Sequence, residues 1–290
     1  MDPATSTDGS RPAPESAASR PLLIVGAPRS GTTWLQRLLL AHPGCAGGQE
    51  SHLLVLFDRM IEEARRKLDF DRPHGPLTLL SEDALVDSLR QVWNDTQRPI
   101  LAADPEARVL VEKTPDHALH LPLARRMFPE CRVVHLVRHP ADVVASLLRA
   151  SREPWGRDWA PGSVESASRR WLECVDAAAC DADAGGPDRH VEIRYEALRE
   201  DPERELSSLL DFAGLPRDDE TVRRIVAEDR AGRGAPIRLA GEAGDRPLEE
   251  PESFGTGEST PPLGRRDRRR CLAITGHRLE RFGYAAAEGS

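Results

Sequence analysis

Leu22-Leu23-Ile24-Val25-Gly26-Ala27-Pro28-Arg29-Ser30-Gly31-Thr32-Thr33-Trp34 is the stretch that decides how this chain folds. Four apolar residues run into a glycine, a second glycine follows, and Thr33 opens a helical pattern that reaches Ala41 and stops at His42-Pro43. A short continuous apolar run bounded by glycine reads as a buried strand, and the pattern after Gly31 reads as a helix. Glycines between a strand and a helix let backbone N–H groups converge on an anion, and the helix N-terminus adds partial positive charge. The spacing matches G-x-x-x-x-G-K-[ST], with Thr32 where the lysine of that motif would stand. Arg29 is the side-chain cation within the loop.

Working outward, three further apolar or β-branched runs appear at residues 108–111, Arg132–Val137 and 190–193, each bounded by turn or charged residues. Helical patterns separate them: 52–69 with Leu53, Leu56, Met60, Ala64 and Leu68 in phase, a helix from Ser81 through Trp93, then 141–149, 164–179, 202–213, 218–229 and 265–282. On the first helix Trp34, Leu38 and Ala41 share a side. Continuous apolar strands alternating with helices predict an α/β fold, a three-layer, doubly wound parallel sheet of the P-loop nucleotide-binding type. Residues 21–284 read as a single domain and residues 1–20, rich in Pro, Ser and Ala, as a disordered tail rather than a signal peptide. Residues 230–264, rich in Gly, Pro and acidic residues, read as a strand-free lid or a disordered loop.

The chain has 290 residues, 39% of them apolar, and a formal charge of −8. That balance argues against a nucleic-acid or anionic-membrane binder, so any anion site must be built locally. Positive charge is almost wholly arginine: Lys67 and Lys113 are the two lysines against 38 arginines. With abundant alanine, this bias points to a GC-rich, bacterial genome, and it singles out Lys113. Five scattered cysteines without metal-ligand spacing fit reduced thiols and a cytoplasmic protein. No apolar run is long enough to span a membrane.

A second anion site follows the third run. Val133-Val-His-Leu-Val-Arg138-His-Pro140 leads into a helix carrying Ser146 eight residues after Arg138. From a strand end to two helical turns on, arginine and hydroxyl can converge on one phosphate. With the first loop, they imply a ligand bearing two separated phosphate-like groups. A P-loop kinase would normally use the missing lysine and place an Asp at a neighbouring strand end to hold Mg²⁺. Here the strand ends at Arg138.

In these features the chain resembles the PAPS-dependent sulfotransferases, whose donor is 3′-phosphoadenosine 5′-phosphosulfate. Pro28 to Trp34 resembles the family's 5′-phosphosulfate loop, with Arg29, Ser30, Gly31, Thr32 and Thr33 as ligands, and Arg138 with Ser146 resembles its 3′-phosphate site. Trp34 matches the position that stacks on adenine in the cytosolic branch; the alternative is a core residue on the first helix. Tyr195, in Arg194-Tyr-Glu-Ala-Leu198, resembles a tyrosine near the donor, and the likeness returns at Arg281-Phe-Gly-Tyr284.

The resemblance also implies the catalytic groups. Transfer to a hydroxyl calls for a base, and Glu50, 21 residues after Arg29, resembles the catalytic glutamate of the tyrosylprotein and related Golgi branches; its alternative is to favour the next helix's N-terminus. Lys113 fits the strand-end lysine that neutralises charge on the transferring group, beside Arg29. The cytosolic branch's histidine is replaced by Pro115, which leaves His117 as the second-choice base. Trp155 and Trp159 either line an acceptor pocket or pack as a loop core. The segment that closes over the 3′-phosphate in the cytosolic branch is missing, with Gly255-Thr-Gly257 and Arg265 as loose substitutes. The expected enzyme moves a sulfuryl group from PAPS, without a metal, to a hydroxyl of a carbohydrate or small natural product. An ATP-dependent P-loop kinase and a non-catalytic nucleotide-binding protein are the alternatives.

Overall fold

The computed structural model describes residues 20–239, 246–247 and 260–285. Five parallel strands form its sheet: β1 (Leu22–Val25), β2 (Cys45–Ala46), β3 (Val109–Lys113), β4 (Arg132–Val137) and β5 (His190–Arg194), in the spatial order β2-β3-β1-β4-β5. β1 lies at the centre, with Ile24 level with Lys113 of β3 and Val25 level with His135 of β4. The expected runs are all strands, but two extend past their apolar parts. β3 keeps Glu112 and Lys113 in the ladder because both side chains find partners at its end, and β5 continues to Arg194. β2, too short to show a periodicity, exists because Cys45 and Ala46 pair with Val109 and Leu110.

Strand alternation sends side chains to two cores. Leu23 and Val25 of β1 and Val133 and Val137 of β4 face one layer: α2 (Leu53–Leu68), α3 (Glu82–Ala103), α4 (Leu121–Met127), α5 (Pro140–Ala150), α6 (Val164–Gly185) and α10 (Arg265–Thr275). Leu22, Ile24, Val134 and Leu136 face the other: α1 (Thr32–Leu40), α8 (Pro202–Ala213) and α9 (Asp219–Arg230). The sheet is therefore covered on both faces, the three-layer arrangement that fully apolar strands require. The short helix α7 (Tyr195–Glu200) follows β5 directly.

Helical phase differs from expectation at two places. α2 buries Leu54, Phe57, Ile61 and Ala64, while Leu56, Met60 and Leu68 are exposed. Its sequence Leu-Leu-Val-Leu-Phe offers two apolar stripes, and the one holding the bulkier Phe57 and Ile61 turns inward. α1 likewise buries Leu35, Leu38 and Leu39 and leaves Trp34 and Ala41 partly exposed. α3 starts where Ser81 caps it, its hydroxyl accepting from Ala84 N, and runs past Trp93 through Pro99 to Ala103, with Gln97 still buried. The last helix ends at Thr275 and is followed by two 3₁₀ turns that reach Phe282. A 3₁₀ stretch, Pro115–His120, leads into α4.

The segment 230–264, expected to be strand-free, contains a two-stranded antiparallel ribbon, β6 (Arg238–Leu239) with β7 (Arg246–Pro247). The rest of the expected lid (residues 240–245 and 248–259) and residues 1–19 of the expected tail lie outside the described residues.

Trp93 is wholly buried against Phe128, ring centroids 5.1 Å apart, between α3 and α4. Trp93→Ala is expected to lower the unfolding free energy by about 3–5 kcal/mol, the usual cost of deleting a buried aromatic. Urea denaturation checks this; a loss below about 1 kcal/mol would mean this layer does not carry the core.

Candidate active site

Each strand delivers one functional element at its C-terminal end, where open α/β sheets bind ligands. Gly26 follows β1, Lys113 ends β3, Arg138 follows β4, Tyr195 follows β5, and Glu50 lies four residues past β2. Given the strand order, Glu50 and Lys113 stand on one side of the 26–33 loop, and Arg138, Ser146 and Tyr195 on the other.

The loop is tight because its neighbours are close. A Cβ on Gly26 (φ 153°) would lie 2.5 Å from the Leu136 carbonyl oxygen, and one on Gly31 (φ 96°) would lie 2.6 Å from the Tyr195 ring. Ser30 N donates to Ala27 O at 3.1 Å, and the N-cap residue of α1 is Gly31, which has no side chain to cap the helix. Ser30 is fully buried and its Oγ has no hydrogen-bond partner among the described residues, although buried polar atoms are normally satisfied. Thr32 is buried and Thr33 half-buried at the first turn of α1. Such a cradle fits an anion.

Arg29 adopts φ 75°, a left-handed conformation that costs a non-glycine residue of order 1–3 kcal/mol. Its side chain leaves the loop: Nε donates to Ser146 Oγ at 3.1 Å, and the guanidinium sits 5.4 Å from the Trp155 ring centroid. One Arg138 nitrogen lies 3.5 Å from the Arg29 carbonyl oxygen, and its guanidinium sits 4.4 Å from the Tyr195 ring centroid. Arg138 Nε is buried without a hydrogen-bond partner among the described residues. The structure thus brings Arg29, Arg138, Ser146 and Tyr195 into one cluster.

Trp34 sits on its rim, Nε1 donating to Asp229 Oδ2 at 2.9 Å and the ring edge-on to Tyr195 at 5.7 Å. Trp155 and Trp159 pack together at 5.9 Å, and Trp159 is 46% exposed. Gly255–Gly257 lie outside the described residues, and Arg265 is exposed at the start of α10.

On the other side, Lys113 is the cation that reaches the loop. Only 3% exposed, it donates to Thr33 Oγ1 at 3.2 Å and pairs with Glu50 in a close ion contact. A buried ammonium requires such partners. The segment bearing Glu50 is pinned along its length. Gln36 Nε2 donates to Gly48 O at 2.8 Å, a Cβ on Gly47 would lie 2.4 Å from Val111 O, and His52 N donates to Thr114 Oγ1 at 3.4 Å. Glu112 anchors the next residue, accepting from Ser51 N at 3.2 Å, Ser51 Oγ at 2.7 Å and Thr114 Oγ1 at 2.8 Å.

This carboxylate also explains His117, the expected second-choice base. His117 is fully buried with Nδ1 2.9 Å from Glu112 Oε2, so it supports the Ser51 anchor from behind and does not face the loop. Burial would raise the Glu112 carboxyl, but the neighbouring His117 ring, with the Ser51 and Thr114 hydroxyls, holds it below the usual carboxylate range. His120, the next histidine along, pairs with Asp58 at 2.7 Å.

The histidine beside the expected base is His52, which sequence spacing did not single out. Its φ is 52°, its side chain is 51% exposed, and Nε2 lies 3.4 Å from Glu50 Oε2. Burial pushes the Glu50 carboxyl up, but His52 and Lys113 together bring it below its ordinary value; the Glu50 hydrogen bond, opposed by burial, raises His52.

One group among the described residues places side-chain ligand atoms close enough to share a metal ion: His135, His190 and Glu192, which the sequence did not suggest because the strands β4 and β5 bring them together. Each histidine's Nδ1 and the carboxylate have partners, while His135 Nε2 and His190 Nε2 are buried without a hydrogen-bond partner among the described residues. His190 Nδ1 lies 2.7 Å from Asp181 Oδ2, and Glu192 lies 3.4 Å from His135 Nδ1 and accepts from Arg281 Nε at 3.2 Å. The guanidinium makes an ion pair with that carboxylate.

Residues 21–219 match the sequence model of the Sulfotransferase family. Over 279 residues, 91% of this chain and 72% of its own length, protein-tyrosine sulfotransferase 1 of Danio rerio is 24% identical. Nodulation protein NoeE of Sinorhizobium fredii is 28% identical over 215 residues, 67% of this chain, and an uncharacterised Aquifex aeolicus protein is 26% identical over 214 residues, 71% of it. The chain spans 49% of NoeE and 27% of the Aquifex protein. Among solved structures, the sulfotransferase domain from the curacin biosynthetic pathway aligns with TM-score 0.54 at 21% identity, covering 92% of this chain and 98% of that domain. Mouse sulfotransferase SULT7A1 complexed with PAP aligns with TM-score 0.56 at 12% identity over 90% of this chain and 84% of its own. These structural likenesses establish the fold. No described helix is long and apolar enough to cross a membrane.

The Glu50–His52 contact has a signed pH consequence. Its stabilisation is present above the ordinary carboxylate range and is lost as pH falls through the depressed Glu50 value; it is also lost as pH rises through the elevated His52 value. NMR titration is expected to place the His52 midpoint above 6.5, and Glu50→Gln is expected to bring it down. A His52 midpoint unmoved by that substitution would show the contact is not made.

Proposed function

This chain belongs to the sulfotransferase family, and we propose that it moves a sulfuryl group from PAPS to a hydroxyl of a carbohydrate or small natural product. One arrangement carries this reading: a phosphate loop flanked by two built polar sites, Lys113 with Glu50 on one side and Arg29, Arg138 and Ser146 on the other. A ligand with a 5′-phosphosulfate and a 3′-phosphate needs that separation. The fit rests on the glycine cradle and on the buried Ser30 Oγ and Arg138 Nε atoms, which have no hydrogen-bond partner among the described residues.

In the proposed reaction the acceptor O–H proton passes to Glu50 while the acceptor oxygen bonds to sulfur. The bond from sulfur to the 5′-phosphate oxygen breaks, leaving 3′,5′-phosphoadenosine (PAP). PAPS supplies the activated sulfuryl group. The chain supplies positioning and charge, which dominate loose group transfers. The α1 N-terminus and loop amides hold the 5′ end, Lys113 neutralises charge at the transferring group, and Arg138 and Ser146 hold the 3′-phosphate. Arg29 bridges the loop to that second site, and Trp34 and Tyr195 line the nucleoside side.

A tyrosyl hydroxyl is the second reading for the acceptor, favoured by the zebrafish protein-tyrosine sulfotransferase that matches 91% of this chain. An acceptor screen with labelled PAPS, spanning saccharides, small alcohols and phenols, and tyrosyl peptides, separates the two. Label on peptides alone would overturn the first reading.

Glu50→Gln is expected to keep PAP affinity and to lower turnover roughly 10²–10⁴-fold, the usual range for a lost general base. Near-normal turnover would remove Glu50 from the mechanism. PAP at a hundred times its Kd is expected to stabilise the fold by roughly 2.7 kcal/mol in thermal unfolding. Stabilisation by Mg-ATP alone would instead favour a kinase, and PAP binding without turnover over the whole screen a non-catalytic nucleotide-binding protein.

A further inference from the structure

The peptide unit joining Arg138 to His139 lies between the end of β4 and Pro140, the first residue of α5. Side chains from two distant elements hold it, and a third backs one of them. Its carbonyl accepts from Trp171 Nε1 of α6 at 3.0 Å, and its N–H donates to Glu196 Oε1 of α7 at 3.0 Å. The other Glu196 oxygen accepts from the Tyr284 hydroxyl at 2.7 Å, and that hydroxyl also lies 3.4 Å from Val137 O. Tyr284 is 9% exposed, and its ring is gripped in turn: His139 stands edge-on to it at 5.3 Å, and the Arg194 guanidinium sits 4.9 Å from its centroid. Arg194 also donates to Gly283 O at 3.3 Å, tying the C-terminal turn to the end of β5.

We propose that Tyr284 is a positioning residue for the second anion site: through Glu196 it fixes the 138–139 peptide plane and so aims the Arg138 guanidinium. The residue before Glu196 is Tyr195, whose ring lies under that guanidinium. Tyr195 and Glu196 thus hold Arg138 from side chain and backbone at once, and Tyr284 locks the pair from the far end of the chain. Arginine pays for bidentate anion recognition with geometric demand, so a peptide plane free to tilt would weaken binding without altering charge. The proposal rests on Arg138 taking the 3′-phosphate.

Tyr284→Phe removes one hydroxyl and keeps both ring contacts. Its PAP Kd and its KM for PAPS are expected to rise roughly three- to tenfold, the scale of one lost buried hydrogen bond, with kcat within about twofold. Glu196→Ala is expected to do the same. Glu196→Gln, whose amide oxygen can still accept from His139 N–H, is expected to retain most of the affinity. In an Arg138→Ala background, adding Tyr284→Phe is expected to change PAP affinity no further, an outcome that a general loss of packing would not give. Wild-type affinity in Tyr284→Phe, or an equal further loss in the Arg138→Ala background, would overturn the proposal while leaving the donor-site reading standing. If Arg138→Ala binds PAP as the wild type does, the donor-site reading falls and the positioning role falls with it.

Discussion

Parallel pairing of β1 with β3 on one side and with β4 on the other sets where each charged group of the site comes to lie. The register that levels Ile24 with Lys113 brings the lysine alongside the start of the 26–33 loop, and the register that levels Val25 with His135 carries Arg138 beyond the loop's other edge. Because side-chain direction alternates along a strand, slipping either pairing by one residue would turn Lys113 or its neighbours into the opposite core. The two apolar clusters that flank the sheet hold both registers, since Leu22, Ile24, Leu23 and Val25 all have wholly buried places to fill. Core packing is thus what spaces the two polar sites across the sheet.

Electrostatics then act locally within an acidic chain. A formal charge of −8 offers no general attraction for a polyanion, so the cations must be concentrated and oriented. Lys113 is buried and held between Thr33 and Glu50; Arg138 is stacked on Tyr195 and its peptide is clamped; Arg29 accepts a left-handed backbone to reach Ser146. Strain and burial of this kind are uncommon in residues with no role at a site. Their coincidence around one loop sets these three cations apart from the exposed arginine–carboxylate pairs elsewhere, such as Arg66 with Glu63 or Arg90 with Asp87, which contribute little.

What the sequence made legible is what local spacing encodes. The loop from Gly26 to Thr33, the eight-residue step from Arg138 to Ser146, and the isolation of Lys113 among arginines could all be read in a line. The contacts that position them could not. Ser51 meets Glu112 across 61 residues and Tyr284 meets Glu196 across 88, and no periodicity announces either. The same limit explains the helical phases. In α2 two apolar stripes were available, and only the space between α3 and the sheet selects Phe57 and Ile61 over Leu56 and Met60. It also explains His117, close to the strand-end lysine in sequence yet turned by a 3₁₀ segment into the core, while His52 reaches Glu50 from the start of α2.

Glu50 has two basic neighbours of different character, and the difference bears on how the proposed reaction is ordered. Lys113 is buried, so its charge must always be compensated; His52 is half-exposed, so water can replace its contact with Glu50. An anionic donor in the loop would offer Lys113 a second partner beside Thr33. Drawing the ammonium away would remove one of the two neighbours, after His52, that hold the Glu50 carboxyl down, and its proton affinity would rise. A carboxylate that becomes a better base when the donor is in place couples donor binding to deprotonation of the acceptor. His52, on the solvent side, lies 3.4 Å from the other Glu50 oxygen, so in the proposed reaction it would keep that carboxylate in contact with water. If the proposed reaction holds, the buried lysine would respond to the donor and the exposed histidine to solvent, two different influences on one carboxylate.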